Sequence, residues 1–153
     1  KKYNIIYADP AWNYETWSEG ASRNVKGKYK TMSMKDIYEL PIQDIAEDDC
    51  ILFIWVTYPK LIEGIETIKE WGFNYKTCAF SWIKTNKSFP TNQTTFLPQD
   101  SFKSFWGMGY WTRANNELCL LATKGKPKRC SKSVQQIFAR QRHNGWDAWG
   151  NEV

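Results

Sequence analysis

Four consecutive residues near the start of the chain, Asp9-Pro10-Ala11-Trp12, combine a carboxylate, a rigid proline and an aromatic ring. This set suits group transfer to the amino nitrogen of adenine, whose lone pair is delocalised into the ring. The Asp9 carboxylate and the Pro10 carbonyl can each accept one amino hydrogen, which draws the nitrogen toward a nucleophilic, tetrahedral form. Trp12 would then stack on the base. The alternative is an ordinary strand-ending turn, in which Asp9 caps the chain and Trp12 packs in the core.

Apolar segments predict an α/β sheet that would position this motif. Residues 3–8 are typical of a short buried strand that ends at Asp9. Ligand sites in open α/β sheets lie beyond the carboxyl ends of strands, which is where the motif would stand. Three further strands are predicted, at residues 50–56, near 75–84 and at 117–123. Residues 50–56 form a continuous apolar run, typical of a strand covered on both faces, and the alternation of strands with helical segments favours parallel pairing.

Two helices are predicted between these strands. The first follows a capping box formed by Ser33 and Asp36 and ends before Pro41. The second begins at Pro59 and ends before Gly72. Its predicted apolar face consists of Leu61, Ile62, Ile65, Ile68 and Trp71. The tryptophans Trp55, Trp71 and Trp82 are predicted core residues, while the segments 12–31 and 85–112 are predicted to close over a flipped-out nucleotide.

Positive charge is concentrated in the second half of the chain. Residues 1–76 carry 10 Lys and Arg against 12 Asp and Glu, whereas residues 77–153 carry 11 against 4. This asymmetry favours a polyanionic partner that approaches from one face. The segment 124–132 is strongly basic, and its Lys124 and Lys126 are predicted to contact nucleic-acid phosphates. A solvated basic surface is the alternative.

Composition argues against several other classes of site. His143 is the single histidine, which leaves little basis for a histidine metal site or a Ser-His-Asp triad. The four cysteines lack zinc-knuckle spacing, so free thiols in a cytoplasmic protein are predicted. No segment approaches the ~20 apolar residues of a membrane span, and no membrane partner is expected.

Several segments together resemble the MT-A70 family of adenine-N6 methyltransferases. Asp9-Pro10-Ala11-Trp12 is similar to the D-P-P-W motif of that family. Further similar segments follow in the same order along nearly the whole chain: Lys28–Ser33, Leu52–Thr57, Ser81–Asn86, Gly109–Arg113, Glu117–Cys119 and Gly145–Glu152. The resemblance implies one Rossmann-like methyltransferase domain over residues 1–153 that depends on S-adenosylmethionine. It also implies a circular permutation, with the catalytic motif first and much of the cofactor site last.

The same resemblance implies roles for individual residues. The catalytic residues would be Asp9, Pro10, Ala11 and Trp12, with Asp9 also facing S-adenosylmethionine. The residues near the target nucleotide would be Tyr29, Trp111, Arg113 and Glu117. The residues near the cofactor would be Arg140, Asn151 and Glu152, and the neighbouring Arg142 is predicted to contact cofactor or nucleic-acid backbone.

The chain departs from the family pattern at two places. Ala11 stands where the family has its second proline, which is compatible with roles for the Pro10 carbonyl and the Trp12 ring. The family also carries a longer segment, with an H-S-x-K-P motif, before its F-A-R strand. In this chain Ile137 meets Phe138-Ala139-Arg140 directly. Two interpretations follow: the segment between residues 137 and 138 is truly missing, or a mobile part is left out of this sequence, and the second is favoured. A true loss would argue against cofactor binding and activity.

Three functions are consistent with these observations. The first is adenine-N6 methylation of DNA in a bacterial cell or a phage-infected host, which the bacterial and phage form of Gly109–Arg113 favours. The second is N6-methylation of adenosine in RNA on the same scaffold. The third is a non-catalytic paralogue that serves as a nucleic-acid-binding subunit, which the intact Asp9, Pro10 and Trp12 disfavour. A homodimer or a heterodimer is compatible with each.

Overall fold

The computed structural model of the chain describes residues 1–13, 30–85 and 111–141. Within these residues five strands form one sheet in the order β1-β2-β4-β3-β5. The strands are β1 (Tyr3–Ala8), β2 (Ala46–Val56), β3 (Asn74–Thr85), β4 (Asn116–Lys124) and β5 (Ile137–Gln141). The helices are α1 (Met34–Tyr38), α2 (Ile42–Ile45) and α3 (Leu61–Glu70), and a 3-10 turn at Tyr58–Lys60 precedes α3. All four strands predicted from the apolar segments are confirmed.

The chain divides into two compact units. The first unit comprises Lys1–Ala79 and Leu118–Val134, and the second comprises Phe80–Glu117 and Gln135–Val153. Strands β3 and β4 contribute residues to both.

The strand directions correct the prediction of an all-parallel sheet. β1 pairs with β2 in parallel, with Tyr7 beside Phe53 and Ala8 beside Ile54. β3 likewise pairs with β5 in parallel. β4, however, runs antiparallel to β2, so the sheet is mixed. An apolar run that is buried on both faces has the same composition in either direction, and the sequence of β4 could not reveal which one it takes.

One face of the first unit's sheet packs against its helices. The buried side chains of this core include Ile6, Leu52, Ile54, Val56, Leu120 and Ala122 from the strands and Ile37, Ile68 and Trp71 from the helical segments. The indole N–H of Trp71 donates to the Ile37 carbonyl at 2.9 Å, which satisfies the polar atom of the most bulky buried side chain. A Cβ added at Gly64 would lie 2.5 Å from Val56 Cγ1, so glycine permits α3 to approach the end of β2 closely.

The helix boundaries follow local signals in the sequence. Ser33 Oγ accepts from the Asp36 N–H at 3.1 Å and the Asp36 carboxylate accepts from the Ser33 N–H at 3.3 Å, which confirms the predicted capping box. Gly72 follows α3 with a φ of 78°, a left-handed conformation that favours glycine at a helix end. The predicted apolar face of α3 is wrong at Ile62, which is 71% exposed.

The second unit contains the parallel pair of β3 and β5. Ser81 lies beside Ile137 and Lys84 beside Arg140. The Trp82 indole N–H donates to the Arg140 carbonyl at 3.3 Å. Trp82 is half-buried, whereas Trp55 and Trp71 in the first unit are buried as predicted.

All four cysteines are free thiols, as predicted. In the described ranges no helix is both long and apolar enough to cross a membrane, and no group of metal-binding side chains is found there.

Candidate active site

The motif Asp9-Pro10-Ala11-Trp12 begins directly after β1, at the carboxyl edge of the β1-β2 pair. The Trp12 N–H donates to the Pro10 carbonyl at 2.7 Å, which closes a tight turn around Ala11. The Ala11 carbonyl accepts from the Met32 N–H at 2.9 Å. Asp9 is exposed and Pro10 is half-buried. The backbone therefore holds the carboxylate and the proline carbonyl at the edge of the sheet where ligands of α/β folds bind.

Trp12 occupies a different environment from the one that base stacking requires. Its side chain is 4% exposed and belongs to the hydrophobic core of the first unit. Its indole N–H donates to the Trp55 carbonyl at 2.9 Å, so the polar atom of the ring is satisfied inside the protein. Stacking needs an accessible ring face, which Trp12 does not offer in this structure. The structure supports the alternative in which Trp12 packs, and it corrects the stacking interpretation.

The charge of Asp9 contributes to the raised pKa values of two neighbouring groups, Cys119 and Tyr7. Burial, with smaller contributions from the charges of Cys78 and Asp9, raises the pKa of the Cys119 thiol to about 12. Burial also raises the pKa of the Tyr7 hydroxyl; the hydrogen bond from Trp55 opposes this shift, and the charges of Cys119 and Asp9 add to it. Tyr7 and Cys119 therefore remain protonated near neutral pH.

Two buried polar atoms near the motif lack hydrogen-bond partners among the described residues. They are Asn13 Oδ1, which directly follows Trp12, and Thr57 Oγ1, which directly follows β2. Because β1 and β2 are parallel, their carboxyl ends meet at one edge of the sheet. Buried polar atoms of native proteins normally form hydrogen bonds. A bound polar ligand would explain why these two atoms have no partner among the described residues.

In the second unit, Glu117 forms an ion pair with Lys84 on β3. The Lys84 ammonium also lies 5.2 Å from the centre of the Trp82 ring, within cation–π range. The ion-paired side chains are 19% exposed for Lys84 and 28% for Glu117, so both are largely withdrawn from water. Thr85 Oγ1, at the end of β3, is buried without a hydrogen-bond partner among the described residues. Lys84 thus fixes the position of a carboxylate that the sequence predicts near the nucleotide.

Lys124 and Lys126 lie far from Asp9. In the antiparallel register Lys124 stands beside Cys50, near the start of β2, whereas Ala8 stands beside Ile54, near its end. Four to five residues of strand separate the two positions, about 15 Å at ~3.3 Å per residue. These lysines therefore do not share a pocket with Asp9, and binding to more distant phosphates stays a prediction. The sequence could not supply this distance because it depends on the register of β4.

Trp111 and Arg113 are exposed, the former at 91%, and Arg140 is exposed as well. Exposure is compatible with ligand binding, so their predicted roles stay predictions. Tyr29, Arg142, Asn151 and Glu152 lie outside the described residues.

Comparison with known proteins agrees with these motifs. The MT-A70 family model matches residues 3–136, which is most of the chain. The chain belongs to the MT-A70 family of methyltransferases. The resemblance inferred from the motifs is therefore confirmed.

Individual MT-A70 relatives are similar over different shares of their length. The type II methyltransferase M.MunI of Mycoplasma sp is 29% identical over 202 positions, which cover 100% of this chain and 78% of that protein. The N6-adenosine-methyltransferase non-catalytic subunit MTB of Arabidopsis thaliana is 34% identical over 84% of this chain and 15% of its own length. The N(6)-adenosine-methyltransferase catalytic subunit METTL3 of Homo sapiens is 26% identical over 83% of this chain and 18% of its own. The chain thus spans less than a fifth of these two plant and human relatives.

Several residues of this MT-A70 chain gain importance only from the structure. The sequence alone does not mark Tyr7, Asn13, Thr57 and Lys84 as site residues. Their positions at strand ends are visible in the sequence, but their hydrogen bonds and burial depend on tertiary packing.

Proposed function

We propose that the chain transfers the methyl group of S-adenosylmethionine to the exocyclic N6 of adenine, with DNA as the favoured substrate. The observation that carries the proposal is an exposed Asp9 and a fixed Pro10 carbonyl at the carboxyl edge of β1, in a chain of the MT-A70 family. The similarity to a type II methyltransferase over the whole of this chain favours DNA over RNA. The fold fits a Rossmann-like methyltransferase, and a circular permutation would place the catalytic motif first.

The residues of this edge fit S-adenosylmethionine and a base together. The cofactor supplies an electrophilic methyl group on a sulfonium, and an exposed carboxylate at Asp9 is attractive to that positive charge. The unsatisfied Asn13 Oδ1 and Thr57 Oγ1 offer buried hydrogen-bonding atoms for polar groups of either ligand. In the second unit, Arg140 is the described residue predicted to face the cofactor.

In the proposed mechanism, the Asp9 carboxylate accepts one hydrogen of the adenine amino group and the Pro10 carbonyl accepts the other. A carbonyl oxygen has two lone pairs, so the bond from the Trp12 N–H leaves one for the substrate. These acceptors stabilise the positive charge that builds on the nitrogen as it attacks. S-adenosylmethionine would supply the methyl group to this nitrogen with its sulfur as the leaving group, and the nitrogen would release one proton to water.

Cations of the basic turn 124–132 are proposed to contact nucleic acid. Lys124, Lys126 and the other cations of 124–132 would bind phosphates roughly four to five nucleotide steps from the target base, given about 3.4 Å per step along one strand. In the second unit, Glu117 held by Lys84, together with Trp111 and Arg113, would contact the target nucleotide. A duplex substrate requires that the base be flipped out of the stack.

We also propose that an internal segment, present in M.MunI, is left out of this sequence. The alignment with that protein has 202 positions against the 153 residues of this chain, a difference of 49. The family match ends at residue 136, next to the predicted junction between residues 137 and 138.

A second function, that of a non-catalytic subunit, is favoured by the similarity to MTB. The presence of Asp9 and Pro10 in an anchored turn argues against it, because a non-catalytic subunit needs neither acceptor.

The proposal is tested by incubating the protein with labelled S-adenosylmethionine and DNA or RNA oligonucleotides of identical sequence, each single- and double-stranded. The controls are matched oligonucleotides in which the target adenine is replaced by unsubstituted purine, a base without the 6-amino group. We expect label in DNA as N6-methyladenine and none in the purine controls. Label in RNA alone would assign the second substrate, and nucleic-acid binding without label would support the non-catalytic subunit.

A further inference from the structure

A series of hydrogen bonds connects Tyr7 to the turn of the catalytic motif. The Trp55 indole N–H donates to the Tyr7 hydroxyl oxygen at 2.5 Å. The carbonyl of the same Trp55 accepts from the Trp12 indole N–H at 2.9 Å. The backbone N–H of Trp12 donates to the Pro10 carbonyl at 2.7 Å. Tyr7 and Trp55 are thus joined through their side chains, whereas the link to Trp12 uses the backbone carbonyl of Trp55 and the link to Pro10 uses the backbone N–H of Trp12.

The series leads from the protein surface into the core. Tyr7 is 46% exposed, whereas Trp55 is 8% and Trp12 is 4% exposed. Buried indole N–H groups require hydrogen-bond acceptors, so the orientation of each ring is restricted by the acceptor it uses. The acceptor for Trp55 is a hydroxyl on β1, and the acceptor for Trp12 is the backbone of β2. The position of the Trp12 ring therefore depends on the backbone of Trp55 at the end of β2, the same residue whose indole is bonded to Tyr7.

Tyr7 also lies on the same side of β1 as Asp9. Successive side chains of a strand point to opposite faces, so residues two apart share a face. The ring of Tyr7 lies 6.5 Å from that of Phe53, its register partner on β2. The charge of Asp9 contributes to the raised pKa of the Tyr7 hydroxyl, which indicates that the two groups are near each other. Tyr7 therefore remains a neutral phenol beside the catalytic carboxylate.

We infer that Tyr7 is a positioning residue for methyl transfer: by holding the Trp55 indole it restrains the end of β2, whose Trp55 carbonyl anchors Trp12 and with it the turn that carries the Pro10 carbonyl. This inference rests on the proposed function for its kinetic consequences, while its structural consequences are independent of activity. Tyr7 does not itself touch the reacting atoms. Its hydroxyl sets the geometry of an acceptor, and small displacements of such groups reduce the rate of the chemical step more than binding.

The kinetic test compares Tyr7→Phe with Tyr3→Phe in the full chain. Tyr3 is a matched control because it is a tyrosine on the same strand and is 44% exposed. We expect Tyr7→Phe to lower kcat about tenfold while the KM for the oligonucleotide changes less than about twofold, and Tyr3→Phe to change neither. Trp55→Phe removes the donor of the same hydrogen bond. The double variant Tyr7→Phe/Trp55→Phe should then be no slower than Trp55→Phe alone, because the two substitutions break one bond.

The structural test measures hydrogen exchange of the indole N–H groups. The exchange is monitored by NMR of protein that contains nitrogen-15-labelled tryptophan. Trp12→Phe and Trp55→Phe variants assign the two resonances. We expect Tyr7→Phe to accelerate exchange at both Trp55 and Trp12, whereas Tyr3→Phe leaves both protected. Unchanged exchange at Trp12 in folded Tyr7→Phe would overturn the inference. An absence of wild-type methyl transfer would instead count against the proposed function, and the exchange experiment would still decide the role of Tyr7.

Discussion

The two ends of β2 differ in how their polar groups are satisfied. At the amino end, the Asp49 carboxylate accepts from the Lys126 N–H at 2.7 Å, so this turn is held by the protein itself. At the carboxyl end, Thr57 Oγ1 and Asn13 Oδ1 are buried without partners among the described residues. Both ends belong to the first unit and share one strand. The contrast indicates that the amino end is a structural turn, whereas the carboxyl end has two buried polar atoms for which the described residues supply no partner.

The largest effect on stability is expected at the amino end, from Gly125→Ala. Gly125 has a φ of 63°, and an added Cβ would collide with the Asp48 carbonyl oxygen and the Asp49 carboxylate. The strained backbone and the collision together should lower the free energy of unfolding by about 2–4 kcal/mol. Urea denaturation followed by circular dichroism measures this change.

Gly72→Ala is the matched control, because Gly72 has a φ of 78° but its added Cβ would meet only the flexible side chain of Gln43 at 3.2 Å. Gly72→Ala should lower the free energy of unfolding only through the strain of a left-handed backbone conformation at alanine, by about 1–2 kcal/mol. Equal losses of stability for the two variants would show that the collision with Asp48 and Asp49 has no effect.

At the carboxyl end, Thr57→Val should separate stability from activity. Valine has the shape of threonine without the unsatisfied hydroxyl, so the free energy of unfolding should stay unchanged or rise by up to about 1 kcal/mol. Methyl transfer should fall, because the hydroxyl is proposed to bind a ligand. Thermal unfolding and initial rates measured on the same preparation check both expectations.

Thr67→Val is the corresponding control, because the Thr67 hydroxyl donates to the Glu63 carbonyl at 2.7 Å. It should lower the free energy of unfolding by about 1 kcal/mol and leave methyl transfer unchanged. If Thr57→Val instead behaved like Thr67→Val, the hydroxyl of Thr57 would be a structural group.

The smallest effects are expected from single charges of the basic turn at the amino end. Lys126→Gln or Lys128→Gln should weaken binding to a long duplex and reduce the slope of log K against log salt by about 0.9 for each phosphate that is no longer neutralised. Neither should alter kcat, because the turn lies about 15 Å from Asp9 along β2. Fluorescence anisotropy at several salt concentrations measures the slope. Lys35→Gln on α1 removes a charge that is 79% exposed and serves as the control; equal slopes for all variants would make the turn a solvated surface.

Local signals in the sequence predicted much of the fold. The capping box at Ser33, the glycine after α3 and the apolar runs of β1 and β2 are short-range patterns, and each determines an element with little help from the rest of the chain. The direction of β4 relative to β2 was not predictable because the composition of an apolar strand does not distinguish parallel from antiparallel pairing. The exposure of Ile62 was missed because the predicted apolar face of α3 was wider than the surface that packs on the sheet.

The candidate site was predictable in its chemistry but not in its arrangement. Asp9 and Pro10 were identified because their functional groups suit an amino group and because they follow a strand. The burial of Trp12 and the distance of Lys124 from Asp9 depend on the packing of β2 against its neighbours. The hydroxyl of Tyr7 has a role only through Trp55, which is 48 residues away in sequence.

The most direct test of the central claim is a comparison of two aspartates, one at each end of the sheet of the first unit. Labelled methyl transfer to DNA adenine is measured under single-turnover conditions for the wild-type protein, Asp9→Ala and Asp48→Ala, with the folded fraction of each checked by circular dichroism. Loss of a preorganised acceptor should slow Asp9→Ala about 10²–10³-fold, while Asp48→Ala, an exposed residue at the amino end, should stay within about twofold of wild type. Transfer by Asp9→Ala at the wild-type rate would contradict the assignment of the carboxyl edge of β1 as the site of methyl transfer.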